Sequence, residues 1–356
     1  LPGPEADLSL LHPGSLAALV TEGLSALPAA YAHGTWQSRD LTRLLYLFCL
    51  NPLLFPAPVP QKPRLRERLR ILLPLRHHAV AAAHPLSIIK TAPLPDAAFF
   101  ASWLGASLDD GPGLFQADND TPLLAQATAA EALLKALGEV RTKDHILEIG
   151  GGWGALSEGL CRSGARLTVQ SAHPITARHI HARLATLALR QPVTVKEAPL
   201  ARLAGRYDRI VWVWRPSEPL PAAASEDWAA VFRQLKTLLK QGGRMVAQIA
   251  TVTPGTASGL PSVLFPEGAP PPRDTVLDAA AAAYLDAGAP LIFGEGTARL
   301  YGLWRTALEA TCHVDTPVPA QTEARRWLYR LAALEAAHLA GTLTTAQYTF
   351  THRIAA

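Results

Sequence analysis

From residue 145 onward, short apolar runs alternate with longer stretches in which apolar residues recur at helical spacing. The pattern predicts strands at 145–149, 166–170, 193–195, 209–214 and 244–252. It predicts helices at 155–164, 176–190 and 227–240 between them. Strands that alternate with helices form a parallel, doubly wound sheet, so the fold class is α/β. Gln241, Gly242 and Gly243 are expected to stop the third of these helices and turn the chain into the next strand. Further helices are expected at 123–137, 279–287, 300–310 and 323–340, while 254–272 reads as loop. Residues 1–60 look helical and end in a proline-rich joint that cannot continue a helix. The expected organisation is an N-terminal helical module (1–60), a basic linker and cover segment (61–119), and a main α/β domain (120–356).

Composition refines this picture. The 49% hydrophobic content supports a packed core, and no uncharged apolar run is long enough to span a bilayer. The apolar stretch 44–54 is too short, and too far into the chain, for a signal peptide. Three cysteines, Cys49, Cys161 and Cys312, lack metal-ligand spacing and read as reduced thiols of a cytoplasmic protein, so no metal is expected. The net charge of +4 is concentrated in one place: Lys62, Arg64, Arg66, Arg68, Arg70 and Arg76, with leucines interleaved. Segment 62–76 is suited to an anionic phospholipid surface, which predicts peripheral attachment to the inner face of the membrane. A solvated helix face explains the same residues equally well. No nucleic-acid motif accompanies the patch, so nucleic acid is not expected as a partner.

The most informative motif is Glu148 to Gly154, where Gly150, Gly152 and Gly154 follow the apolar pair Ile146 and Leu147 and precede a helix start. A strand, a glycine turn and a helix bring backbone close to a ligand and offer unpaired N–H groups to it. The spacing is not that of a dinucleotide site. An acid two residues before the first glycine suits S-adenosylmethionine, which carries an amino-acid group and no pyrophosphate. A tight structural turn is the plainer alternative.

Several fragments in this order resemble the cyclopropane-fatty-acid synthases and related lipid methyltransferases. They are Tyr31 to Trp36 with Asp40, Phe99 to Gly105, Glu148 to Gly154, and Tyr207 to Ile210. Phe265 to Gly268, Trp304, Arg325 to Tyr329, Glu335 and Gln347 continue the series, the last three as a C-terminal helical signature. The resemblance implies a class I methyltransferase fold with a Rossmann-like parallel sheet. It also implies S-adenosylmethionine as cofactor and an unsaturated phospholipid acyl chain as substrate. In that family the methyl goes to a cis double bond, and a bound bicarbonate takes the proton as the ring closes. Cofactor contacts are implied for Glu148, Gly150, Gly152, Trp153 and Gly154, with Ser171 near the ribose and Glu197 a substitute for the acid near the adenine.

The anion site departs from the family pattern. His84 is the remnant of a lost motif, Asp110 to Pro112 stand where a tyrosine and a cysteine are expected, and Thr297 replaces a tyrosine. Ser217 stands where a glutamate belongs and Glu218 where a histidine belongs. A retained scaffold with a lost site predicts a degenerate, non-catalytic subunit that forms a homo- or hetero-oligomer with an active relative. The alternative is an active methyltransferase that uses another base, with His84 and Glu218 as catalytic candidates and Asp109 and Asp110 beside them. His77, His78, His179 and His181 read as surface residues, and Cys161 as an inert thiol. Trp212 and Trp214 share one strand face, either flooring the cofactor pocket or packing on a helix.

Overall fold

Successive side chains of a strand point to opposite faces, and here both faces are dry. The computed structural model describes residues 5–12, 23–51, 94–189, 191–217, 228–253, 263–266, 270–312 and 318–353. The basic segment 62–76, His77, His78, His84 and Glu218 lie outside the described residues. In chain order the strands are β1 (Ser9–Leu10), β2 (Trp36–Gln37), β3 (His145–Ile149), β4 (Arg166–Ser171) and β5 (Val193–Glu197). They continue with β6 (Tyr207–Val213), β7 (Leu239–Val252), β8 (Leu285–Ala287), β9 (Leu291–Ile292) and β10 (Leu343–His352). The α-helices are α1 (Leu27–Ala32), α2 (Leu41–Leu50), α3 (Ala97–Leu104), α4 (Pro122–Leu137) and α5 (Ala155–Cys161). After them come α6 (Pro174–Ala185), α7 (Trp228–Leu238), α8 (Arg273–Ala282), α9 (Gly296–Thr311) and α10 (Val318–Leu339).

The main sheet has the order β5-β4-β3-β6-β7-β10-β8, with β9 also paired to β10. Strands β3 to β7 are parallel, and β10 runs antiparallel to β7 and β8. Ile146, Val211, Val213 and Val246 pack with Leu133, Leu160 and Ile180 of α4, α5 and α6. The alternate positions Leu147, Ile149, Ile210, Trp212 and Met245 join a second cluster with Phe232 of α7 and Leu331 of α10. Local signals set the helix ends. The Thr121 side chain accepts the Leu124 N–H ahead of Pro122, and Gly138 ends α4 with φ 72°.

Several boundaries differ from the sequence reading. Strand β7 begins at Leu239 and carries the glycine pair inside it. Tyr207 pairs with Leu239 and Arg209 with Arg244, so Gly242 and Gly243 form a bulge rather than a helix stop. The helix expected over 279–287 runs earlier, over Arg273–Ala282. Tyr284 then turns at φ 59°, and β8 pairs with β10. Gln347 lies on strand β10, where Ala346, Tyr348 and Phe350 enter the core by alternation, not on a helix. Helix α6 stops at Ala185.

The N-terminal helices are built onto α10. Arg325 Nε donates to the Tyr31 carbonyl at 2.6 Å, and Nη2 to the Trp36 carbonyl at 3.0 Å. The Trp36 indole donates to the Leu27 carbonyl at 2.9 Å, and the Thr42 hydroxyl to Glu335 at 2.7 Å. Fragments from the two ends of the sequence, Tyr31 to Trp36 and Arg325 to Tyr329, thus form one joint with Tyr31, Trp36 and Tyr329 in mutual ring contact.

Candidate cofactor cradle

Strand β3 delivers Glu148 and the glycine turn to the C-terminal edge of the sheet, where open α/β sheets bind ligands. Gly150, Gly152 and Gly154 have φ of 65°, 54° and 88°, a backbone path that side chains strain. Gly151 must lack a Cβ for a different reason, since one would collide with Val169 Cγ1 and lie 2.9 Å from Ile180 Cδ1. Gln170 on β4 locks the turn. Its Oε1 accepts the Gly150 N–H at 3.1 Å, and its Nε2 donates to the Ala198 carbonyl at 2.8 Å.

Over this turn lies an ion cluster that sequence reasoning missed. Arg215, just past β6, donates through Nη1 to the carbonyls of Gly150 and Val213, and its Nη2 lies 3.4 Å from Glu148 Oε1. Its Nε is 3.7 Å from Asp110 Oδ1. The side chains of Arg215, Glu148 and Asp110 are 3%, 0% and 1% exposed, so the cluster is dry. Glu148 Oε2 also accepts the Ser157 hydroxyl of α5 at 2.5 Å, and Asp110 Oδ2 accepts the Ser217 N–H at 3.1 Å. Two buried carboxylates share one guanidinium. Burial pushes Glu148 up to about 7 and Asp110 up to about 6, against the pull of Arg215. Two carboxylates buried beside one guanidinium favour uptake of a proton, which removes the surplus buried charge.

The segment that brings Asp110 here is pinned from two helices. Gln126 of α4 donates to the carbonyls of Asp109 and Gly111, at 2.5 and 3.3 Å. Arg183 of α6 donates to the Ser107 carbonyl at 2.7 Å. Asp109 spends its side chain on the Gly111 N–H at 2.9 Å.

The other expected site residues are distributed along the sheet edge. Trp153 is buried between Phe100 and His179, with ring centroids 5.0 and 5.3 Å away. His179 is thereby half-buried against an indole, which corrects its reading as a solvent-facing residue; that burial, and then the nearby Arg183, lower its pKa. Ser171 and Glu197 are register partners on β4 and β5. The Ser171 hydroxyl is used within its own turn, 2.6 Å from Thr176 Oγ1, whereas Glu197 is exposed. Trp212 stacks on Trp228 of α7 at 6.0 Å, which is helix packing. Thr297 is fully buried, and its hydroxyl has no hydrogen-bond partner among the described residues. Burial pushes the Cys161 thiol up to about 11, which leaves it protonated and unreactive. An open cleft of about 380 Å³ lies apart from the turn, lined in part by Phe115, Glu295 and Arg299. Arg299 is committed there, stacked 4.4 Å from the Phe115 ring and donating to the carbonyls of Ala117, Asp118 and Asp120.

A family model for mycolic acid cyclopropane synthetase matches residues 95–348. The chain belongs to that family. Its members are S-adenosylmethionine-dependent lipid methyltransferases and cyclopropane synthases. Tuberculostearic acid methyltransferase of Mycobacterium tuberculosis is 26% identical over 301 residues, which cover 77% of this chain and 66% of that protein, just under two thirds of its length. Mycolic acid cyclopropane synthase solved with SAH and CTAB superposes with a TM-score of 0.62 at 20% identity, over 78% of this chain and 99% of that one. Coclaurine N-methyltransferase solved with N-methylheliamine and SAH gives 0.66 at 16% identity, over 94% and 100%. The likeness to these structures establishes the class I methyltransferase fold.

The family implies S-adenosylmethionine, whose amino-acid end carries an ammonium group. The glycine turn and Glu148 have the composition such a ligand requires. Arg215 lies directly over that turn: a Cβ on Gly152 would lie 2.6 Å from Arg215 Cδ and 3.2 Å from Asp110 Oδ1. Arg215 fills the room over the turn and takes the acceptors a cation needs.

Proposed function

We propose that this chain is a degenerate member of its family, a non-catalytic subunit that supports an active relative in methyl transfer to unsaturated phospholipid acyl chains. The observation that carries this reading is the dry Arg215–Glu148–Asp110 cluster filling the cradle where the family's cofactor is expected. Losses in the anion site support it: Ser217 and Thr297 are short hydroxyl side chains at positions where the family resemblance implies glutamate and tyrosine. A cation formed on an acyl chain in an apolar tunnel needs an anionic partner held close, because no water substitutes for it there. Among the described residues no helix is long and apolar enough to cross a membrane. In this reading, access to phospholipid comes through segment 62–76, and the partner is a second, active family member.

The test is lipid mass spectrometry with the purified chain, an active relative, and both together, on vesicles of unsaturated anionic phospholipid with S-adenosylmethionine. The expected result is no product from the chain alone and raised product or a stable complex with the relative. Ordinary turnover by the chain alone would overturn the reading.

A second reading, an active methyltransferase with a protein base in place of bicarbonate, has one observation in its favour. Asp110 Oδ1 and Thr297 Oγ1 are buried without a hydrogen bond among the described residues, as groups awaiting a ligand are. Product from the chain alone that is lost in Asp110→Asn would select this reading.

A further inference from the structure

Other arginines that brace the fold reach from a partly solvated position to backbone carbonyls. Arg209 donates to the carbonyls of Leu137 and Glu139, and Arg325 to those of Tyr31 and Trp36. Arg215 differs in three respects. It is dry, it sits at the ligand-binding edge of the sheet, and it lies against a glycine whose missing side chain makes room for it. With the Gly150 and Val213 carbonyls and Glu148 as acceptors, and the Asp110 carboxylate as a counter-charge 3.7 Å away, it occupies a buried cation site. Desolvating a guanidinium and two carboxylates is costly, and apolar packing would fill the same volume at no such cost.

We propose that Arg215 is an internal ligand of the glycine cradle. Its guanidinium stands where the ammonium group of an adenosyl amino acid would bind, and its withdrawal opens that site. The inference rests on the family role only for the identity of the ligand. The cradle itself is retained: the three left-handed glycines, the Gln170 lock and the buried acid are all in place. An occupied site lowers apparent affinity by the fraction of molecules in which it is open. A single side chain thus suffices to silence binding without dismantling the scaffold.

The experiment is calorimetric titration of SAH into the full chain, as wild type, Arg215→Ala and Arg215→Lys. Wild type is expected to bind weakly or not at all, and Arg215→Ala about 100-fold tighter. Arg215→Lys keeps the buried charge with a smaller head and is expected to fall between them. Because it preserves the charge on which folding depends, it decides the question should Arg215→Ala fail to fold. Equal affinity of wild type and either folded variant would overturn the proposal, whether all bind or none does. Its failure is separable from failure of the partner reading. Equal SAH binding leaves the product measurement with the active relative untouched, and solitary turnover by wild type leaves the variant series to be read independently.

Discussion

Two arginine clusters hold this molecule together, and they are built on opposite terms. Arg305 bridges Glu335 on α10 and Glu309 on its own helix at 2.8 and 2.9 Å, while Thr42 from the N-terminal part bonds the same Glu335. That cluster is partly wet, with the Arg305 side chain 21% exposed, and water shares in solvating its charges. The Arg215 cluster is sealed, and its two carboxylates compete for one cation. The first is architecture that tolerates the loss of a member. The second depends on its single cation, because deleting Arg215 leaves two carboxylates in a dry site with no counter-charge.

The sharpest way to break the comparison is Arg215→Ala at pH 7.5, which strands Glu148 and Asp110. A loss of about 3–5 kcal/mol in urea unfolding is expected, against about 1 kcal/mol for Arg305→Ala. Similar losses would erase the distinction between the clusters. The next largest effect is with pH. Glu148 is raised from 4.5 to about 7 by burial, so the folded state holds its proton more tightly than the unfolded state does. Its contribution is present in full below pH 4.5 and is lost as pH rises through about 7. The stability of wild type relative to Glu148→Gln should fall across that window by roughly 2–3 kcal/mol. Arg215 lowers and Asp109 raises the Glu148 pKa, so in Arg215→Ala the fall should extend to higher pH. A flat difference curve would show that Glu148 is not held in a dry site.

A smaller effect sharpens the geometry. Gly152→Ala places a Cβ against Arg215 and also strains a backbone at φ 54°. In Arg215→Ala the contacts with Arg215 disappear, while the backbone strain and the 3.2 Å approach to Asp110 Oδ1 remain. A double-mutant cycle should therefore give a coupling of about 1–2 kcal/mol, whereas additivity would mean that Arg215 does not rest on the turn. Smallest of all, Arg162→Ala removes an exposed partner of Glu158 that Arg183 also holds, and should change unfolding by less than about 0.5 kcal/mol.

The parallel sheet was legible because its signals are local. The strand 145–149 has the bounds read from its apolar run, and the glycine spacing located the turn to the residue. Elements whose signals compete were misread. The Gly242–Gly243 bulge looks like a helix stop because both need glycine, and β10 was hidden because Thr344, Thr345 and Gln347 put polar residues on both of its faces. At the site, Glu148 and its glycines were visible as a motif. Asp110 was visible only as a departure from the family pattern, and Arg215 carried no signal. No spacing links residue 110 to 148 or 215.

Sequence by itself determined the α/β class, the glycine turn with its acid, and the kinship that names the family, since each rests on residues adjacent in the chain or on fragments in fixed order. Tertiary structure alone decided what occupies that turn. Strand β6 ends beside β3 in the sheet, and the pinned segment 107–111 folds over both, which brings one guanidinium between two carboxylates far apart in sequence. Whether a charge is solvated or paired depends on what lies within a few ångströms of it, and that distance is set by the packing of the sheet edge.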